Sequence, residues 1–224
     1  MADTLIKLDK IEYSTIYTLQ ENTAAFFYEA GMAIDADGSP MAYNADSAKG
    51  LDKLANAGSP GNWFGVMTDA NGNPIVQGPS DPAPGFYISQ TSLQDKTKKS
   101  TDPRRYADAS SIPFIVLPSR KSFNAKLGDF CIVYNQKTRQ VAGGVYADIG
   151  PRTKIGEASI AMAAALGIPS APRNGGAGGG IVYLVFPSSN STWPLGNDAI
   201  QTQSLQLFTN WGGLTRLTAL QERM

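Results

Sequence analysis

The segment Tyr146–Leu166, YADIGPRTKIGEASIAMAAAL, carries the residues best suited to chemistry: Asp148 and Glu157, two carboxylates nine positions apart across a reversing Gly-Pro loop. Strand ends and helix N-termini are where a rigid backbone presents side chains to a cleft. On this reading a strand ends at Asp148 and Glu157 opens an alanine-rich helix. Two carboxylates facing one site suffice to cleave a glycosidic bond, because one protonates the leaving oxygen while the other activates water or attacks the sugar. Such chemistry needs neither histidine nor metal. Spacing alone leaves a structural alternative open, in which Glu157 complements a helix dipole and Asp148 caps a turn.

Composition removes most competing chemistries. The chain has no histidine, so a serine triad, a zinc protease site or a copper site is excluded in its usual form. A single cysteine, Cys131, can form no intramolecular disulfide and cannot anchor an ordinary thiolate metal site. We therefore expect no metal and no cofactor.

Other motifs read as structure. The glycine run Gly175–Gly180 precedes a strand and lacks the GxGxxG spacing or a following GKS, so a flexible loop feeding a strand is expected rather than a phosphate site. Asp35-Ala-Asp37-Gly38 starts like a calcium loop, but the third acid and the distal glutamate are missing. It reads first as a turn, which is compatible with a pair of ligand-facing carboxylates. The basic cluster Lys96–Arg105 has neither the apolar period of a binding helix nor the interleaved aromatics of a single-strand groove, so a solvated loop is expected.

The elements that position these residues are short. With 23 glycines and 14 prolines, apolar runs are brief and strands are favoured, at Thr15–Leu19, Ala25–Tyr28, Phe64–Thr68, Tyr87–Gln90, Phe114–Leu117, Asp129–Tyr134, Gln140–Val145 and Ile181–Phe186. Asp129–Tyr134 and the run from Gln140 form a hairpin across NQKT. Helices are expected at Glu157–Leu166, which ends at Gly167 with Pro169 beyond, and at Ala48–Ala57 and Leu214–Glu222. No repeat or linker divides residues 1–224, which read as a single domain, mainly β (α+β) with a few helices.

Net charge is zero, yet residues 1–90 carry −7 and residues 91–224 carry +7. An acidic half suits a cationic ligand, and a nucleic-acid partner is not expected. No stretch approaches the roughly 20 apolar residues of a membrane span, and the N-terminus lacks the apolar core of a signal peptide. The chain is expected to be cytoplasmic, a trimmed mature form, or exported by a route without such a signal.

Taken together, IDADGSP (Ile34–Pro40), GLDKLANAGSPGNWFGVMTD (Gly50–Asp69), PIVQGPSDPAPGFYIS (Pro74–Ser89), IPFIVLP (Ile112–Pro118), LGDFCIVYN (Leu127–Asn135), YADIGPRTKIGEASIAMAAALGI (Tyr146–Ile168) and GGIVYLVFPSS (Gly179–Ser189) resemble the chitosanases of glycoside hydrolase family 75. The resemblance spans about residues 31–190, and both chain ends carry little of it. It implies a compact six-stranded, double-psi-like β-barrel with a few peripheral helices. It also implies endo-hydrolysis of β-1,4-linked glucosamine in chitosan or a related amino-sugar polysaccharide, with inversion, by a secreted enzyme.

The family's essential Asp of ADIGP falls on Asp148 and its essential Glu of KIGE on Glu157, with expected roles of base and acid. Asp35, Asp37, Asp69 and Asp81 are expected to meet the cationic sugar, Trp63, Phe86 and Tyr87 to offer ring faces, and Lys154 to hold one of the pair ionised. Each reads equally as a turn carboxylate, a core aromatic or a turn decoration. The Lys96–Arg105 loop is expected to lie away from the cleft. Rival readings are a peptidoglycan-acting lytic transglycosylase or hydrolase on a similar barrel, a non-catalytic glycan-binding module, and a structural or interaction protein.

Overall fold

The computed structural model describes residues 3–190 and 192–223. Its strands are β1 (Leu5–Ile11), β2 (Ser14–Leu19), β3 (Phe26–Asp35), β4 (Gly58–Ser59), β5 (Asn62–Trp63), β6 (Phe114–Pro118), β7 (Phe130–Asn135), β8 (Gln140–Gly150), β9 (Glu157–Ser159) and β10 (Ala177–Val185). Three helices accompany them: α1 (Ile160–Ala165), α2 (Asn197–Trp211) and α3 (Gly213–Gln221).

Six strands close a barrel in the order β3-β10-β7-β8-β6-β9, with β9 returning to β3. Closure removes the free edges that an open sheet of apolar strands would leave. The pairings β6–β8 and β3–β9 are parallel and the others antiparallel, so the chain crosses over the barrel instead of meandering round it. This is the compact six-stranded barrel with few helices that the resemblance implies. The β1–β2 hairpin extends the sheet outward from β3 through two residue pairs, Tyr17↔Phe27 and Thr18↔Phe26.

Alternation along each strand sorts residues between the barrel's two faces. Phe26, Tyr28, Met32 and Ile34 of β3, Ile115 and Leu117 of β6, Cys131 and Val133 of β7, and Tyr183 and Val185 of β10 fill the interior. There Tyr28 and Tyr183 stack with ring centroids 4.8 Å apart. On the outer face, α2 and α3 cover one arc with Phe208, Trp211, Leu217 and Leu220 against Phe27, Ile132, Val182 and Leu184. Another arc, around Phe114, Val116, Phe130, Val145 and Ala147, packs under Leu93, Ala107, Ala109 and Ile200. Residues 36–112 contribute the two-residue strands β4 and β5, two 3-10 turns and single bridges such as Val66↔Ser89 and Val76↔Tyr87.

Several expected elements change. Phe64–Thr68 and Tyr87–Gln90 are not strands but isolated bridges, because they lie in this irregular layer and find no long partner. Ala48–Ala57 forms only a 3-10 turn at Leu54–Ala57. Glu157–Ser159 is a strand instead of the opening of a helix: pairing with β3 on one side and β6 on the other outweighs local helix propensity. Ser159 then caps α1, its hydroxyl accepting from the Met162 amide at 3.1 Å. Part of the glycine run joins β10 at a bulge between Ala177 and Ile181 instead of forming a free loop. The hairpin β7–β8 and the C-terminal helix are as expected, and α2 is an additional helix.

Candidate active site

Asp148 and Glu157 meet through a third residue. Val116 of β6 is the register partner of Asp148 on β8 and of Glu157 on β9, so the two acids flank one buried valine on the barrel's outer face. Two strand spacings of about 4.8 Å put their backbones at most roughly 9.6 Å apart, and less as the barrel curves. A one-residue register shift in the β6–β8 ladder, between Ile115 and Val116, is what aligns Asp148 with Val116.

Glycines make the room. Gly156 has φ +89, and a Cβ there would lie 2.7 Å from the Gly31 oxygen. Its carbonyl accepts from the Ala33 amide at 2.9 Å, so the KIG sequence delivers Glu157 onto β3 in register with Ala33. Gly150 leaves open the space beside the pair: a Cβ there would stand 3.0 Å from Val116 Cγ1 and 3.5 Å from Glu157 Oε2.

The two carboxylates sit in different surroundings. Asp148 Oδ1 accepts three hydrogen bonds, from the Ser92 amide at 2.8 Å, the Ser92 hydroxyl at 2.6 Å and the Ile149 amide at 2.9 Å. Burial raises the Asp148 pKa, and these donors oppose the rise by favouring the carboxylate. Among the described residues, none donates such a hydrogen bond to Glu157. Burial first, then the negative charge of Asp148, pushes its pKa up to about 6, against the opposing pull of Lys154.

Asp35 and Asp37 join this charge cluster from the end of β3. Asp35, buried, accepts the Asp37 amide at 2.7 Å, and Asp37 accepts the Tyr43 hydroxyl at 2.7 Å. Both are held well above the usual carboxylate range, by burial first; repulsion from Asp37, Glu157 and Asp148 adds for Asp35, and from Asp148 and Glu157 for Asp37. The IDADG segment is thus both a turn, with Gly38 at φ +78, and part of the cluster. Burial and neighbouring negative charge together disfavour full ionisation of this group.

The remaining expected residues are distributed around this centre. Trp63 and Tyr87 are half-buried against Ala36, Tyr43, Ala57 and Val66, one contact away from Asp37 through Tyr43. Phe86, next to Tyr87 in sequence, is half-buried, while Phe64, next to Trp63, is 61% exposed. Asp69 is exposed and folded onto its own loop, accepting from the Asn71 and Asn73 amides at 2.8 and 2.9 Å. Asp81 accepts from the Gly78 amide and faces Arg104 at 3.8 Å. Lys154 is exposed and acts on Glu157 through its charge. In the basic loop, Arg104 is held by Asp81, Asp102 and the Ser80 carbonyl, Arg105 by Gln94 and the Lys98 carbonyl, and Lys98 by Asp95. Sequence reading did not single out Ser92, Tyr43 or Ser89, the residues that hold the aspartates. No local pattern marks Ser92, which contacts Asp148 from 56 residues away.

Among the described residues, no group of three His, Cys, Asp or Glu is arranged to hold a metal ion, and no helix is long and apolar enough to cross a membrane. The comparison with known proteins follows the same residues. No curated protein matches the chain. The family model for the fungal chitosanase of glycosyl hydrolase group 75 matches residues 80–215, more than half of the 224. The match takes in Ser92, Asp148 and Glu157 and runs into the C-terminal helices, beyond the resemblance at that end, while Asp35, Asp37, Trp63 and Asp69 lie before its start. With the six-stranded barrel and its paired acids, this places the chain in the fungal chitosanase family, glycosyl hydrolase group 75, as a glycoside hydrolase.

Proposed function

We propose that the protein hydrolyses β-1,4 linkages between glucosamine units within chitosan chains, inverting the anomeric carbon. The observation that carries this reading is the placement of Asp148 and Glu157 on either side of Val116. Carboxyl groups one strand removed from each other suit the roughly 6.5–9.5 Å separation that leaves room for a water, rather than the roughly 5–5.5 Å of direct attack on the sugar. Glu157, with a pKa of about 6, keeps a proton to give to the leaving oxygen in mildly acidic solution. Asp148, favoured as the anion by Ser92 and the Ile149 amide, takes the proton of the attacking water through the Oδ2 atom that these donors leave free.

Asp35 and Asp37 supply the selectivity. A protonated glucosamine amine brought beside them relieves their mutual repulsion, whereas an acetylated unit offers no charge. Half-buried Trp63 and Tyr87 supply ring faces to the same end of the cleft.

The test is hydrolysis of a defined glucosamine oligomer followed by NMR of the first anomer formed. A β-linked substrate giving the α-anomer first supports inversion. The β-anomer first, or an anhydro-sugar product, overturns the mechanism, and absence of cleavage overturns the substrate.

A further inference from the structure

A groove of about 750 Å³ runs from the β1–β2 hairpin across the outer face of β3 to Ile155 and Gly156, beside Glu157. The outward residues of β3 succeed one another as Glu29, Gly31, Ala33 and Asp35, with Ala33 in register with Glu157. Glu29 therefore lies roughly 13 Å along the strand from the residue that neighbours the catalytic acid. Between them Gly31 and Ala33 leave the floor low, and Gly178 and Gly179 border it without side chains.

The walls are polar and aromatic. Glu12 and Glu29 face the groove, as do Tyr13 and Tyr17, and among the described residues no lysine or arginine lines it. Tyr13, at the hairpin tip, is 99% exposed, which serves no packing purpose. An exposed aromatic ring beside paired acids, along a track that leads to a glycosidic carboxylate, matches a polymer with flat apolar sugar faces and cationic amines. Most of this wall lies outside residues 80–215, where the family pattern runs.

We propose that this groove binds a further length of the glucosamine polymer on one side of the scissile bond, with Tyr13, Glu12 and Glu29 contacting its sugar units. The inference rests on the proposed function, since the groove ends at Gly156, the residue before Glu157. A longer bound segment orients the chain before cleavage and raises affinity for polymer above that for short fragments.

The experiment uses the full chain carrying Glu157→Gln, so that the oligomer is not consumed. Titrating glucosamine hexamer into this protein, and into the same protein carrying either Tyr13→Ala or both Glu12→Gln and Glu29→Gln, should show affinity weaker by about threefold to tenfold at low salt. The loss from the acid variants should shrink as sodium chloride is added. Tyr13 buries nothing and both glutamates are exposed, so a thermal melt should find these variants folded. Unchanged hexamer affinity in folded variants overturns the proposal. Release of reducing ends from chitosan by the parent chain decides the proposed function separately: an active parent with unchanged binding in the variants refutes the groove alone, and an inactive parent refutes the function whatever the titration shows.

Discussion

Residues 114–185 hold the barrel ladders β6 to β10, and Asp148 and Glu157 ride on them; residues 36–112 have only two-residue strands and single bridges. In the ladder region, backbone hydrogen bonds set position, and Val116 measures the separation of the two acids. In the irregular layer, side chains do this work. Ser92 grips Asp148, Tyr43 grips Asp37, and Ser89 donates to the Gly65 carbonyl while accepting the Gly38 amide. The barrel thus sets the distance between the two carboxylates, and the layer tunes Asp148 through Ser92. Retaining the first without the second would leave the same spacing but an Asp148 without the Ser92 donors that oppose the effect of burial.

The largest expected effect strikes the barrel-borne pair. Asp148→Asn and Glu157→Gln should each lower kcat on soluble chitosan by about 10²- to 10⁴-fold, read as release of reducing ends. Full activity in either variant would break the division of roles.

Next comes stability. The folded pKa of Glu157, about 6, lies above its ordinary value of 4.5. A raised carboxylate favours folding below its unfolded pKa and loses that contribution as pH rises through the folded value. The fold should therefore weaken between about pH 4.5 and pH 6.5, with Asp35, Asp37 and Asp148 adding in the same direction. Glu157→Gln should then stabilise by about 2 kcal/mol near pH 7 and not near pH 4, in urea unfolding at the two pH values. Equal gains at both would show that repulsion and burial do not strain the cluster.

Ser92→Ala tests the layer. It removes one of the donors that lower the Asp148 pKa, so that pKa rises and the acid limb of the activity profile moves to higher pH. We expect about a tenfold loss of kcat/KM at low pH, smaller near the optimum. A uniform loss with no shift of the limb would make Ser92 a packing residue only.

The smallest effect belongs to Lys154. Its charge lowers the Glu157 pKa, so Lys154→Ala should move the alkaline limb upward by a few tenths of a pH unit, and moderate salt should erase the difference.

How legible was the site? Asp148 and Glu157 stood out because they lie close in sequence, within a motif whose punctuation marks a reversal. Asp35 and Asp37 stood out as a doublet in a turn. Glu157 nonetheless reads as the start of a helix, since an alanine-rich run follows it and its three-residue pairing to β3 and β6 leaves no local trace. Strands with apolar runs, such as β6, β7 and β10, were found within a few residues of their bounds. The layer strands failed because propensity cannot tell a ladder from a single bridge.

Sequence alone determined the chemistry available: carboxylates without histidine, an acidic half, and the family pattern around ADIGP and KIGE. Only the tertiary structure decided which carboxylates meet, how many strands separate them, and in which direction burial and neighbouring donors shift their proton affinities. Those properties depend on contacts between distant segments, Val116 between two strands and Ser92 against Asp148, and on burial, and burial belongs to no residue until the chain has folded around it.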